Sequence, residues 1–156
     1  MERLGEMVKV LTGGDMATVY LSLGSNLGNR AQHLKNAISH IQQEVGEVLA
    51  KSSIHENDAV GFCGNRFLNQ VVKVETELSP ISLLTITQRI EYKLGRVQKS
   101  ITKNSKPVFV NRIIDIDILL YDDIQIDTKT LSIPHPRMLE REFVMKPLKE
   151  LFLNPL

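Results

Sequence analysis

Cys63 is the only thiol in this 156-residue chain. A lone cysteine excludes an internal disulfide and any cysteine-rich zinc site, and it fits a reducing, cytoplasmic setting. Aromatic residues are almost as scarce, with no tryptophan, three tyrosines and five phenylalanines. Neither sign of charge dominates: 19 Lys and Arg stand against 18 Asp and Glu, so no basic field argues for nucleic acid. No apolar run approaches the length of a membrane-crossing helix. The N-terminus carries Glu2 and Glu6 and lacks a long apolar stretch, so it does not read as a secretory signal. Common catalytic signatures are missing as well. There is no GxxxxGKS or GxxxxGKT loop, no GxGxxG, no GxSxG, no metal-binding histidine pair and no plausible cysteine nucleophile.

What is present is the composition of one globular domain, 42% hydrophobic and 24% charged. Residues 1–16 have no clear period and read as a loose extension; 17–156 read as the domain. Val19, Leu21 and Leu23 alternate on a first strand, residues 17–23. Gly24 to Asn29 reads as a turn whose glycines permit a tight backbone path. Leu34, Ala37, Ile38, Ile41 and Val45 keep helical spacing. Strands are expected over 48–54 and 68–78, with a polar loop at 55–66 between them. Ser79-Pro80 is a helix start, and Gly95 is a stop after Leu94. Residues 96–112 read as a long connection, 113–121 as a strand and 124–126 as a short one. A last helix is expected from about Pro136. The order βαββαββα has more strands than parallel crossovers need, which points to an α+β domain with a mostly antiparallel sheet.

The strand at 113–121 carries the strongest chemical signal. It is β-branched and apolar except for Asp115 and Asp117. Strand side chains alternate, so both carboxylates share a face, with Cα atoms roughly 6–7 Å apart. Two such acids repel and lose hydration unless something offsets their charge. One or two divalent cations would do so, and an oxygen-only donor set suits Mg²⁺ completed by water and phosphates. The competing reading is an edge strand with two solvated acids on its open face. The connection before it holds Arg96, Lys99, Lys103, Lys106 and Arg112 and no acid. Those cations are either a solvated loop or a lid complementary to a metal–polyphosphate ligand. Gln88 and Glu91 share one face of the helix before Gly95, and His135 stands between two prolines.

Several segments stand in a fixed order: Leu23-Gly24-Ser25-Asn26-Leu27-Gly28, Phe67-Leu68-Asn69-Gln70-Val71-Val72, Gln88-Arg89-Ile90-Glu91 with Gly95-Arg96, and Arg112 through Leu119. Ile133-Pro134-His135-Pro136-Arg137-Met138 and Arg141-Glu142-Phe143-Val144 complete the set. Taken together, in this order and spacing, they resemble the 6-hydroxymethyl-7,8-dihydropterin pyrophosphokinase family. The resemblance spans about residues 17–150. It implies a ferredoxin-like fold and transfer of pyrophosphate from ATP to the pterin hydroxymethyl group, a step of folate synthesis. It also implies two Mg²⁺ ions held by Asp115 and Asp117, and phosphate contacts from Arg96 and Arg112. Gln88, Glu91, Ile118, Ser132, His135 and Arg141 match the ATP site. Phe67 and Phe143 match rings that sandwich the pterin, and Asn69 matches a pterin-edge residue. Asn57, Ala59 and Val60 should supply backbone groups to that edge. Three positions depart from the pattern. Gln98 replaces a second basic residue, Phe109 is the nearest aromatic where a tryptophan is common, and Pro136 replaces an aromatic after His135. The implied partners are small molecules only, with no nucleic acid and no membrane, on a monomer. Two other readings compete: a nucleotidyl-transfer or cyclase-like two-metal domain, and an RNA-binding module. The second fares poorly, because ring residues are few and acids sit mid-strand where phosphates would be repelled.

Overall fold

Alternate residues of the first strand enter different layers, and this sets the architecture. The computed structural model describes residues 15–58, 64–95, 101–103, 106–108 and 113–153, with backbone alone at 101–103 and 106–108. Strand β1 (Ala17–Ser25) sends Val19, Leu21 and Leu23 to one side of the sheet. There they pack on Leu34, Ala37 and Ile41 of α1 (Arg30–Glu44) and on Leu83 and Ile90 of α2 (Pro80–Lys93). Tyr20 points the other way. It joins Val71, Leu119, Met138, Val144, Leu148 and Leu151, the last three on the C-terminal helix α3 (Glu142–Leu153). The sheet is therefore a middle layer, with α1 and α2 on one face and α3 on the other.

The main sheet has five strands. Its path runs β2 (Gly46–Lys51), β4 (Phe67–Thr76), β1, β7 (Asp115–Tyr121), with β3 (His55–Asn57) also paired to β4. Every pairing is antiparallel, as the α+β reading expects. The helix starts follow the sequence signals. The Asn29 side chain accepts from the Gln32 N–H, and the Ser79 side chain accepts from the Ser82 N–H just before Pro80. Gly95 takes φ +108°, the left-handed turn that ends α2.

Several boundaries differ from the expectations. β1 continues through Gly24 and Ser25, so Gly24 is a strand residue, and only Gly28 (φ +67°) has the backbone of a turn glycine. The strand expected over 48–54 starts earlier and ends at Lys51, and a second strand, β3, follows at His55, because β4 is long enough to pair with both. β2 takes the half of β4 from Thr76 to Val72, and β3 takes Asn69 to Phe67. Ser52 spans the break: its N–H donates to the Val71 carbonyl at 2.9 Å, and its Oγ accepts from the Val71 N–H at 2.9 Å. The 55–66 stretch thus begins as strand rather than loop. The 96–112 connection contains an antiparallel pair, β5 (Ile101–Lys103) and β6 (Lys106–Val108). Its β-branched residues Ile101, Thr102 and Val108 are strand formers interleaved with lysines that read as loop. The short strand β8 (Ile126–Asp127) sits slightly later than expected and pairs with β9 (Ser132–Ile133), which was not expected. At the C-terminus, a 3-10 turn at Met138–Glu140 and an extended Arg141 precede α3, so the helix starts at Glu142 rather than near Pro136. Among the described residues, no helix is long and apolar enough to cross a membrane.

Candidate active site

The register around β1 lays out the site. Asp115 lies opposite Gly24 and Asp117 opposite Ser22; on the other flank Gly24 faces Asn69 and Ser22 faces Val71. Directly opposed residues point to the same face. Asn69, Gly24 and Asp115 therefore form one row across three strands, about 10 Å from end to end at the usual strand spacing. The face is the one that α3 covers farther along, where Tyr20 and Leu119 pack. β7 closes the described sheet, as the competing edge-strand reading expects. Its two acids are half-buried rather than fully solvated.

The outer edge of β7 is partly covered. Glu91 reaches across from α2, and its Oε2 accepts the Ile116 N–H at 2.7 Å while the residue is only 6% exposed. This accounts for a buried acid on α2: it satisfies an edge amide that has no strand partner. A register shift after Tyr20 leaves Leu119 as the extra residue, and its carbonyl accepts the His135 N–H at 3.0 Å. The His135 segment is thereby held against the strand. It follows Pro134, whose bond to Ile133 is cis.

Between these two anchors lies a cavity of about 220 Å³. Its walls include Gln88, Glu91, Asp117, Ile118, Ser132 and His135, all six expected at the site from sequence. Leu84, Ile116, Lys129, Thr130, Leu131 and Pro136 line it as well and were not anticipated. The β8–β9 hairpin delivers Lys129 and Thr130, and that pairing was the signal missed in the sequence. Arg141 is not in this wall; its guanidinium carbon stands 5.6 Å from the centre of the Phe143 ring. Phe143 sits on the first turn of α3 and packs on the core shared with Tyr20 and Val71.

On the opposite flank, His55 and Asn57 of β3 face Asn69 and Phe67 of β4. Gly24 forms the floor there. A Cβ added to it would lie 3.4 Å from Asn69 Oδ1 and 3.5 Å from the Phe67 ring. Glu56, between His55 and Asn57, points the other way and is gripped by Arg30 at 2.8 Å and Arg66 at 3.0 Å. This grip fixes β3 from behind. Arg96, Phe109, Arg112, Ala59 and Val60 lie outside the described residues. Among the described residues, no group of three or more His, Cys, Asp or Glu could hold a metal. An ion on this face would take protein oxygens from the Asp115–Asp117 pair and complete its shell with ligand and water oxygens.

A family model for 7,8-dihydro-6-hydroxymethylpterin-pyrophosphokinase (HPPK) matches residues 20–153. The chain belongs to this family. A curated relative from Porphyromonas gingivalis, a 2-amino-4-hydroxy-6-hydroxymethyldihydropteridine pyrophosphokinase, is 45% identical over 144 residues, covering 90% of this chain and 95% of its own. The enzyme of that name from Bacillus subtilis is 41% identical over 134 residues, covering 85% and 76%. That from Aquifex aeolicus is 41% identical over 141 residues, covering 89% and 82%. Among solved structures, an HPPK-DHPS triple mutant from Plasmodium falciparum superposes with a TM-score of 0.67 at 16% identity. The match takes in 87% of this chain and 40% of that longer one. At that identity the likeness speaks for the fold, which is ferredoxin-like α+β. This pyrophosphokinase is a transferase that moves pyrophosphate from ATP to hydroxymethyldihydropterin in folate biosynthesis.

Proposed function

We propose that the two flanks of β1 divide the substrates, with the nucleotide on the β7 side and the pterin on the β3–β4 side. The observation that carries this reading is the row Asn69–Gly24–Asp115, which sets an amide, a bare floor and a carboxylate side by side. The cavity along the outer edge of β7 suits the adenosine end of ATP. Ile118 lies between the two covered positions of that edge, so its outward backbone groups can read a base edge. Gln88, Ser132 and His135 supply polar contacts around it. Glu91 holds the strand in place through the Ile116 amide. The triphosphate then runs over the edge toward Asp115 and Asp117, where Arg96 and Arg112 would meet its charge.

The half-buried, oxygen-only donor pair fits two Mg²⁺ ions shared with the phosphates. Bound there, the metal would supply charge neutralisation and alignment of the transferring group. The protein's own contribution is placement. Gly24 keeps the floor clear so that the hydroxymethyl oxygen can approach in line with the β-phosphorus. Phe67 and Phe143 offer apolar faces to the pterin ring, and Asn69 offers its amide to the pterin edge. Residues 17–156 serve as the catalytic unit, acting as a monomer on small molecules in a reducing cytoplasm.

Incubation with ATP, Mg²⁺ and 6-hydroxymethyl-7,8-dihydropterin tests the reading. AMP and the pterin diphosphate are the expected products, with no turnover when Mg²⁺ is chelated. Release of free pyrophosphate and a cyclic nucleotide would instead mark a cyclase, and turnover that survives chelation would remove the metal assignment.

A further inference from the structure

Asn57 entered the site only through its backbone. Its side chain is part of a directed chain of amides. The Asn57 Nδ2 donates to the Asp58 carbonyl at 2.6 Å. This sets the orientation of the carboxamide, because a backbone carbonyl can only accept. Its Oδ1 is thereby turned to Asn69, whose Nδ2 donates to it. The same Nδ2 has the His55 carbonyl at 3.4 Å. Both acceptors act on the nitrogen of Asn69, so its oxygen must point elsewhere. It points over Gly24, since a Cβ on Gly24 would meet Asn69 Oδ1 at 3.4 Å. Asn69 is 4% exposed, so a reversed amide would set its oxygen against two acceptors with little water to relieve the repulsion.

We propose that Asn57 is a positioning residue for pterin recognition: it locks the Asn69 amide so that an oxygen, not an NH₂, faces the bare floor at Gly24. The pterin must then present an N–H at that point. An orientation with a ring nitrogen acceptor or the 4-oxo group toward Asn69 is disfavoured. This rests on the pterin pyrophosphokinase reading and adds to it a rule for which edge of the ring faces Asn69. Glu56 supports the arrangement from the opposite side of β3 by tying the strand to Arg30 and Arg66.

A double-mutant cycle tests it. Asn57→Ala should raise the KM for the pterin about tenfold, as expected for one lost orienting hydrogen bond in a buried site. The KM for ATP and the melting temperature should stay close to those of the parent. Asn57→Thr, whose hydroxyl can accept from Asn69 and donate onward, should recover most of the loss. In an Asn69→Ala background the Asn57→Ala change should have no further effect on the pterin KM, because its only route is through Asn69. Additive effects, or equal losses for ATP and pterin, would overturn the proposal. In the unmutated protein, the Asn69 side-chain NH₂ protons should exchange slowly and stay protected when pterin binds. Loss of that protection would also overturn it, whether or not the variants fold. Failure of the parent enzyme to turn over pterin at all would instead overturn the pyrophosphokinase reading.

Discussion

At the residue scale, three positions around β1 lead to distinct measurements. Asp115 and Asp117 are half-buried on one strand face, where the proposed metal would lie. Asp115→Asn and Asp117→Asn should each lower turnover by about 100-fold or more. A variant with parental turnover at limiting Mg²⁺ would refute the metal role. Gly24→Ala makes a narrower point. The added methyl would sit at ordinary contact distance from Asn69 and Phe67, so the fold should survive within a few degrees. The methyl would, however, take the space in front of the Asn69 oxygen, and steady-state kinetics should show a severalfold rise in pterin KM with little change for ATP. The sequence disclosed the aspartate pair because period two and charge are both visible in a single strand. It could not disclose the role of Gly24, which depends on which residues of β4 and β7 lie opposite.

At the scale of elements, α3 is held over the sheet by its apolar face and by one polar anchor. Glu150 accepts from the Ser53 N–H at 2.9 Å and from its Oγ, and it pairs with His55. The Ser53 backbone amide, aided by His55 and the Ser53 hydroxyl, holds its carboxyl below the usual carboxylate range. A carboxyl lowered in the folded state stabilises the fold above its unfolded pKa, and that contribution disappears as pH falls through the folded value. Glu150→Gln should therefore lower stability near neutral pH by about 1 kcal/mol or less, since the pair is partly solvated. The difference from the parent should close as the pH is lowered below about 4. A deficit that persists unchanged in acid would show that packing rather than charge is responsible. The helices were legible from apolar spacing and caps such as Ser79-Pro80. β3 and the β5–β6 pair were not, because three-residue strands among polar side chains owe their conformation to a partner strand rather than to local pattern.

For the whole molecule, antiparallel layering followed from the count of strands and helices, but the order β2-β4-β1-β7 did not. Strand order depends on which strands bury the faces of α1 and α2, and that is a property of the packed core. Among the described residues the buried apolar side chains begin at Ala17, which is 4% exposed, and the family match begins at residue 20. A chain beginning at Met16 keeps all of these, so its melting temperature should stay within a few degrees of the parent and its turnover within about twofold. A large loss in either would assign residues 1–15 a part in the enzyme.

The central place of β1 also orders events in time. The ribosome makes residues 17–25 first, β4 next and β7 only after residue 115, yet β1 must pair with both. Until the last third of the chain has emerged, one side of β1 has no neighbour, and neither does the platform of Ser22 and Gly24. The growing chain can assemble the β3–β4 flank early, but the carboxylates join it only near the end of synthesis. With the triphosphate at Asp115 and Asp117 as proposed, a nascent pyrophosphokinase would not engage it during most of translation, and its chemistry would begin only when its most distant strands have met.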